Sequence, residues 1–318
     1  MRRLLILIIA LAITLSGCRN PGSSEIIIFH AGSLSVPFKQ MADEYEKRNP
    51  GIKVLLESAG SLVCARKITE LKKPCDIIAS ADYFVIDELI IPEYSAWSIR
   101  FATNAMVLAF NDKSKHYQEI TSDNWHEILS SADVIYARSD PNSDPCGYRT
   151  ALTLKLAGKY YGEDRLAEKL LSKDRNFIRP KEVDLVALLE SNAVDYIFNY
   201  KSVAIQHNLK YLELPPEINL SDPALNNIYQ TVSFEVTGSS AESKMIITGE
   251  YINYSLTVLD NSPNKPGAVD FVVFLLSDEG MDFFRRNGQD PIIPFTTGQP
   301  EFLPEQLGNI LKQSELNN

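Results

Sequence analysis

Cysteine and histidine are scarce: 318 residues carry four of each. The histidines His30, His116, His126 and His207 are scattered, and there is no Cys-x-x-Cys or Cys/His cluster. A conventional metal site therefore has no support, since such sites need closely spaced ligands. No Gly-x-Ser-x-Gly elbow and no His-Glu-x-x-His motif occurs, which argues against an exported hydrolase. Positive charge is also short. The chain has 31 Lys and Arg against 41 Asp and Glu, a net charge of −10. Nucleic acid is excluded as a partner, because binding it takes a basic surface that displaces counterions. A small anion is not excluded, because neutral backbone donors can hold one in a buried site. Internal repeats and low-complexity stretches are lacking too.

What is present begins at the N-terminus. Met1-Arg2-Arg3 is a short basic start, and Leu4 to Leu15 is an apolar run broken only by Thr14. The run is too short to span a bilayer comfortably and reads as a secretory signal peptide. Leu15-Ser16-Gly17-Cys18 resembles the lipobox of prokaryotic lipoproteins, which implies that Cys18 is the first mature residue and carries a lipid anchor. Residues 19–24 read as a tether. The rest of the chain is expected outside the membrane. Of Cys64, Cys75 and Cys146, two can pair in an exported protein. Cys64 and Cys75 flank a helix-like stretch, so a bond between them and three free thiols both remain open.

Strand-like and helix-like segments alternate. Glu25 to His30, Ile52 to Glu57 and Asp76 to Ala79 read as strands, separated by helices over Leu34 to Arg48 and Leu62 to Leu71. That order predicts parallel strands covered by helices. A second set follows. Ala105 to Phe110, Val134 to Ala137 and Asp195 to Phe198 read as strands. Thr150 to Tyr161, Leu166 to Ser172 and Val183 to Ser191 read as helices. Lys244 to Leu259 is strand-like, and Gly267 to Leu276 and Glu279 to Asn287 are helical. The expectation is an α/β protein of two lobes.

Three turns after strands could hold an anion. His30-Ala31-Gly32-Ser33-Leu34 and Ser58-Ala59-Gly60-Ser61 each place a serine where a helix begins, and Ser33 and Ser61 fit N-caps. Helix starts offer free N–H groups and a partial positive charge. Both turns follow neighbouring strands, at the sheet edge where open α/β proteins bind ligands. The third is Asp140 to Arg149, dense in turn formers, with Asp144 as N-cap and Pro145 at the first helical position. Arg149 follows this turn and is expected to brace it by pairing with Asp144 or another nearby acid. His30 reads as a strand-end packing residue.

The stretches Phe29 to Leu34, Ala59-Gly60-Ser61, Asp76 to Tyr83, Asp144-Pro145-Cys146-Gly147-Tyr148-Arg149 and Tyr200 to Ala204 together resemble the archaeal molybdate/tungstate-binding proteins of ABC importers. The likeness runs from about Ile26 to Pro294, and the Asp144 to Arg149 hexapeptide is its most specific part. It implies a two-lobed periplasmic-binding-protein type II fold, each lobe a mixed sheet flanked by helices, with the ligand in the cleft between them. Lobe 1 would comprise residues 25–101 and 242–318, and lobe 2 residues 102–241, with crossovers near Ser98 to Thr103 and Phe234 to Ser243. The protein would be a monomer without cofactor, handing molybdate or tungstate to an ABC permease. Gly32, Ser33 and Ser61 would supply first-lobe donors. Asp144, Pro145, Cys146, Glu182 and Tyr200 would complete the site, with the Asp144 and Glu182 carboxylates approaching the metal centre. The segment between the Cys146 helix and Glu182 is shorter here than in the family, so Asp184 and Glu190 stand as alternatives to Glu182. Another anion of the same fold class, such as sulfate or phosphate, is the competing ligand.

Overall fold

The computed structural model describes residues 24–238 and 243–316. The residues read above as a signal segment, Cys18 and most of residues 19–24 lie outside them. Among the described residues, no helix is long and apolar enough to cross a membrane.

The chain begins with three strands, β1 (Glu25–Ala31), β2 (Lys53–Ala59) and β3 (Ile77–Ser80). β1 runs parallel to both others. Long apolar stretches such as Ile26-Ile27-Ile28-Phe29 favour burial between helices, as parallel strands require. The register aligns the carboxyl ends of these strands. Ala31 lies opposite Ala59, and His30 opposite Ala79, so all three end at one edge. β4 (Trp97–Thr103) then leads out of the sheet.

A second sheet forms from β5 (Met106–Phe110), β6 (Tyr136–Ser139), β7 (Ile178–Arg179), β8 (Tyr196–Tyr200) and β9 (Lys210–Glu213), in the order β7-β6-β8-β5-β9. β6 runs parallel to both β7 and β8. Ser139 lies opposite Arg179, so these strands too end side by side. β10 (Ser233–Thr237) and β11 (Lys244–Thr248) make a separate antiparallel ribbon. β12 (Tyr254–Val258) and β13 (Asp290–Gly298) return to the first sheet, whose order is β13-β4-β12-β3-β1-β2. β12 is antiparallel to β3 and β4, so each sheet is mixed.

The chain therefore crosses between sheets at 104–105 and again at 249–253. The second crossing lies beyond the Phe234 to Ser243 stretch singled out in the sequence. The strand-like run Lys244 to Leu259 is two strands in different sheets.

Asp76, fully buried, ties the first lobe together. Its Oδ2 accepts the Ile27 N–H at 2.7 Å and its Oδ1 the Asn264 N–H at 2.6 Å, joining β1 to the helix Lys265–Leu276 of the returning chain. Cys64, Cys75 and Cys146 are buried free thiols, which decides against the disulfide. Trp97 and Trp125 are core residues. His30 is buried too, its ring 5.4 Å from that of Phe38.

Candidate functional site: a cleft between two sheet edges

The ends of the parallel strands in both sheets face each other. β1 delivers Gly32 and Ser33, β2 delivers Gly60 and Ser61, and β3 delivers Ala81 and Asp82. Opposite them, β6 leads into the Asp140–Asp144 loop, β7 into Pro180–Glu182, and β8 ends at Tyr200. All eight residues expected at the site are buried.

Two carboxyl groups meet at the centre. Asp144 caps the helix Pro145–Tyr161, its Oδ1 accepting the Cys146 N–H at 3.2 Å. Pro145 takes the first helical position, where a missing N–H costs nothing. Glu182 stands within reach of the Ser33 backbone N–H and hydroxyl, and its Oε1 accepts the N–H. A carboxylate thus sits where the Gly32–Ser33 turn would hold an oxyanion oxygen. Gly32 permits this approach, because a Cβ there would lie 2.8 Å from both Glu182 oxygens. The two carboxyls face each other, and the Ser139 hydroxyl lies within reach of Asp144. Asp184 and Glu190 do not compete for this role. Asp184 pairs with Lys181 near the surface, and Glu190 is exposed.

Burial, and then the neighbouring Glu182 charge, raises Asp144 well above the usual carboxylate range. Burial raises Glu182 as well, while hydrogen bonds from Asp144 and Ser33 oppose it. Two buried like charges at close range cannot both ionise cheaply, so the pair holds a proton. An acid raised in the folded state stabilises the fold fully below its unfolded value, near 3.8, and that stability is lost as pH climbs through the raised value. His30 acts in the opposite sense: burial lowers it to about 4, so it costs stability as pH falls below 6.5. The pair's contribution is lost as pH rises from about 3.8 through the raised value. Asp144→Asn is expected to remove that part of the pH dependence of the ligand-free melting temperature in thermal melts.

The hydroxyls around the pair share one arrangement. Ser33 Oγ accepts from Tyr254 at 2.9 Å, Ser61 Oγ from the Ala81 N–H at 3.1 Å, and Tyr200 from Arg149 Nη1 at 3.0 Å. Each oxygen is engaged by a donor, so each hydroxyl hydrogen is directed elsewhere and can serve an oxyanion. Burial also pushes the Tyr200 phenol up, which keeps it a donor.

Two expectations need correction. Ser33 caps no helix: it sits inside a 3-10 turn, Gly32–Leu34. Ser61 is the first helical residue, and Gly60 holds the cap position. Of the acids near Arg149, Asp82 is its partner rather than Asp144. The guanidinium Nη2 lies 3.1 Å from Asp82 Oδ2, and its Nη1 donates to Ala81 O at 2.6 Å. Sequence reasoning also missed Tyr254 and Arg66. Nothing in a β-strand run marks Tyr254 as a partner of Ser33. Arg66 crosses the cleft and donates to Asn142 O at 2.7 Å and Thr237 O at 2.8 Å.

A model of the bacterial extracellular solute-binding proteins matches residues 26–289. A solute-binding protein from Petrotoga mobilis is 47% identical, covering 91% of each chain. The molybdate/tungstate-binding protein WtpA of Pyrococcus abyssi is 43% identical over 90% of this chain and 92% of its own length. Among solved structures, the periplasmic molybdate-binding protein of Azotobacter vinelandii superposes with a TM-score of 0.58 at 17% identity, covering 83% of this chain and 98% of that one. The sulfate-binding protein SubI of Mycobacterium tuberculosis gives 0.61 at 11%, covering 84% and 87%. At these identities the two structures establish the fold alone.

Proposed function

The chain belongs to the bacterial extracellular solute-binding proteins, and we propose that it captures molybdate or tungstate outside the cytoplasm and passes it to an ABC transporter. It is not an enzyme. The reading is supported by its molybdate/tungstate-binding relatives and by one feature of the cleft, the buried carboxyl pair.

The pair is the wrong equipment for sulfate. Two acids beside a dianion repel it, and burial enlarges the repulsion. Mo(VI) and W(VI) are hard, oxygen-seeking centres that can expand from four oxygen ligands to six; sulfur in sulfate cannot. In this reading Asp144 and Glu182 supply the two added oxygens. The Ser33 N–H that now holds Glu182 is handed to an oxyanion oxygen. The Ser33, Ser61 and Tyr200 hydroxyls and the amides beside Gly32 and Cys146 complete the shell. A ligand lacking an oxygen would leave these buried donors unpaired, which is costly. Cys18 carries a lipid that holds the monomeric protein on the outer face of the membrane.

Calorimetric titration of the soluble chain with tungstate, molybdate and sulfate tests this. One-to-one binding of the first two with sulfate silent is expected. Comparable sulfate binding would reduce the two carboxyls to structural acids, and silence from all three would end the oxyanion reading.

A further inference from the structure

Behind the cleft, a second set of contacts joins the two lobes without reaching the carboxyl pair. Asp82 belongs to the first lobe. Its Oδ1 accepts the Phe84 N–H at 3.1 Å and caps the helix Tyr83–Leu89, so the carboxylate is fixed by its own lobe. Its Oδ2 points across the boundary and accepts from Tyr148 Oη at 2.6 Å and Arg149 Nη2 at 3.1 Å. Arg149 is equally fixed on its side, where it donates to Tyr200. It reaches over a second time, to Ala81 O at 2.6 Å. The ion pair is buried, with side-chain exposures of 4% and 8%.

We propose that Asp82, Tyr148 and Arg149 form a closure latch, positioning residues that hold the lobes together and set the release rate of the oxyanion without touching it. The inference rests on the oxyanion-binding reading. Its physical basis is the placement of the pair. Opening the cleft separates Asp82 from Arg149 and returns both charges to water. Closing removes both from water, and their attraction roughly offsets that loss only when both partners are present. A half-removed latch is therefore worse than none, since closure would bury an unpaired guanidinium. Burial opposes the Arg149 charge, but Asp82 together with the Tyr200 and Tyr148 phenols outweighs it and the group stays cationic. The latch is also tied to the site. Tyr148 and Arg149 lie in the opening turns of the helix that Asp144 caps, and the guanidinium orients the Tyr200 hydroxyl. Hinge closure can thereby bring latch and ligand donors together in one movement.

Asp82→Asn tests this, because asparagine keeps the helix cap while removing the charge. Tungstate release, followed by stopped flow, is expected to be about a hundredfold faster. The tungstate-to-molybdate affinity ratio should not change. Tyr148→Phe, a milder lesion, should speed release about tenfold or less. Small-angle scattering should show the Asp82→Asn protein more open than wild type at equal ligand. Unchanged release, or a drop in ligand-free melting temperature without faster release, would overturn the latch and leave Asp82 a structural cap. If the wild type binds none of the three oxyanions, the functional reading fails separately. Scattering of the ligand-free proteins then decides the latch, with equal dimensions for wild type and Asp82→Asn counting against it.

Discussion

Asp144→Asn is expected to weaken tungstate binding at least about a hundredfold while raising the melting temperature of the ligand-free protein. The two effects share one cause. The Asp144 and Glu182 carboxyls are buried and face each other, so each opposes the other's charge. An asparagine keeps the cap on Cys146, because it is as good an N-cap as aspartate. Its amide can donate to Glu182, turning a crowded pair into a hydrogen bond. A gain of about 1 kcal/mol is reasonable for relieving a buried acceptor, or about 1.5 °C in a protein of this size. The neutral amide cannot supply the anionic oxygen that a six-coordinate metal needs. Calorimetry and a thermal melt on one preparation measure both. Binding lost together with stability would mean that Asp144 serves the fold.

The second large effect is expected from a single methyl group. Gly60 has φ −61° and ψ 143°, an ordinary extended conformation that alanine adopts without strain. Yet a Cβ at Gly60 would lie 2.2 Å from the Ser143 carbonyl oxygen and 2.8 Å from its carbon, on the opposite lobe. Backbone cannot swing aside as a flexible side chain does. Gly60→Ala should therefore leave the first lobe folded and prevent the cleft from closing. Tungstate affinity is expected to fall about a thousandfold, in line with the loss of most cross-cleft contacts. Small-angle scattering with saturating tungstate should show no compaction, whereas the wild type compacts.

Much of the frame was legible because its signals are local. The apolar runs of β1 and β8 and the Asp144-Pro145 helix start depend on neighbouring residues only. The parts that were not legible depend on pairing across space. Glu182 could not be separated from Asp184 and Glu190, because the strand that brings it to the edge, β7, has two residues and no pattern. The run Lys244 to Leu259 hid a crossing, because the five residues between its two strands include the apolar Tyr251 and Ile252, so the break is weakly marked. Arg149 was expected on Asp144, five positions earlier, or on another nearby acid, and the sequence left that choice open. At 3.6 residues per turn, five positions rotate a side chain well off the cap, towards Asp82. Ser33 looked like a cap because Gly-Ser before an apolar run resembles one, while its partner Tyr254 lies 221 residues away.

The placement of β12 has a consequence for the order in which the molecule can be assembled. It lies between β3 and β4, and without it those strands share no neighbour. During synthesis the amino-terminal strands must wait until Val258 has emerged before their sheet can be joined, although the second sheet is already complete by Glu213. Long-range pairing of this kind is slow to form. The first lobe of a nascent chain so arranged stays incomplete until its last strand, β13, has been made, whereas the second can close earlier.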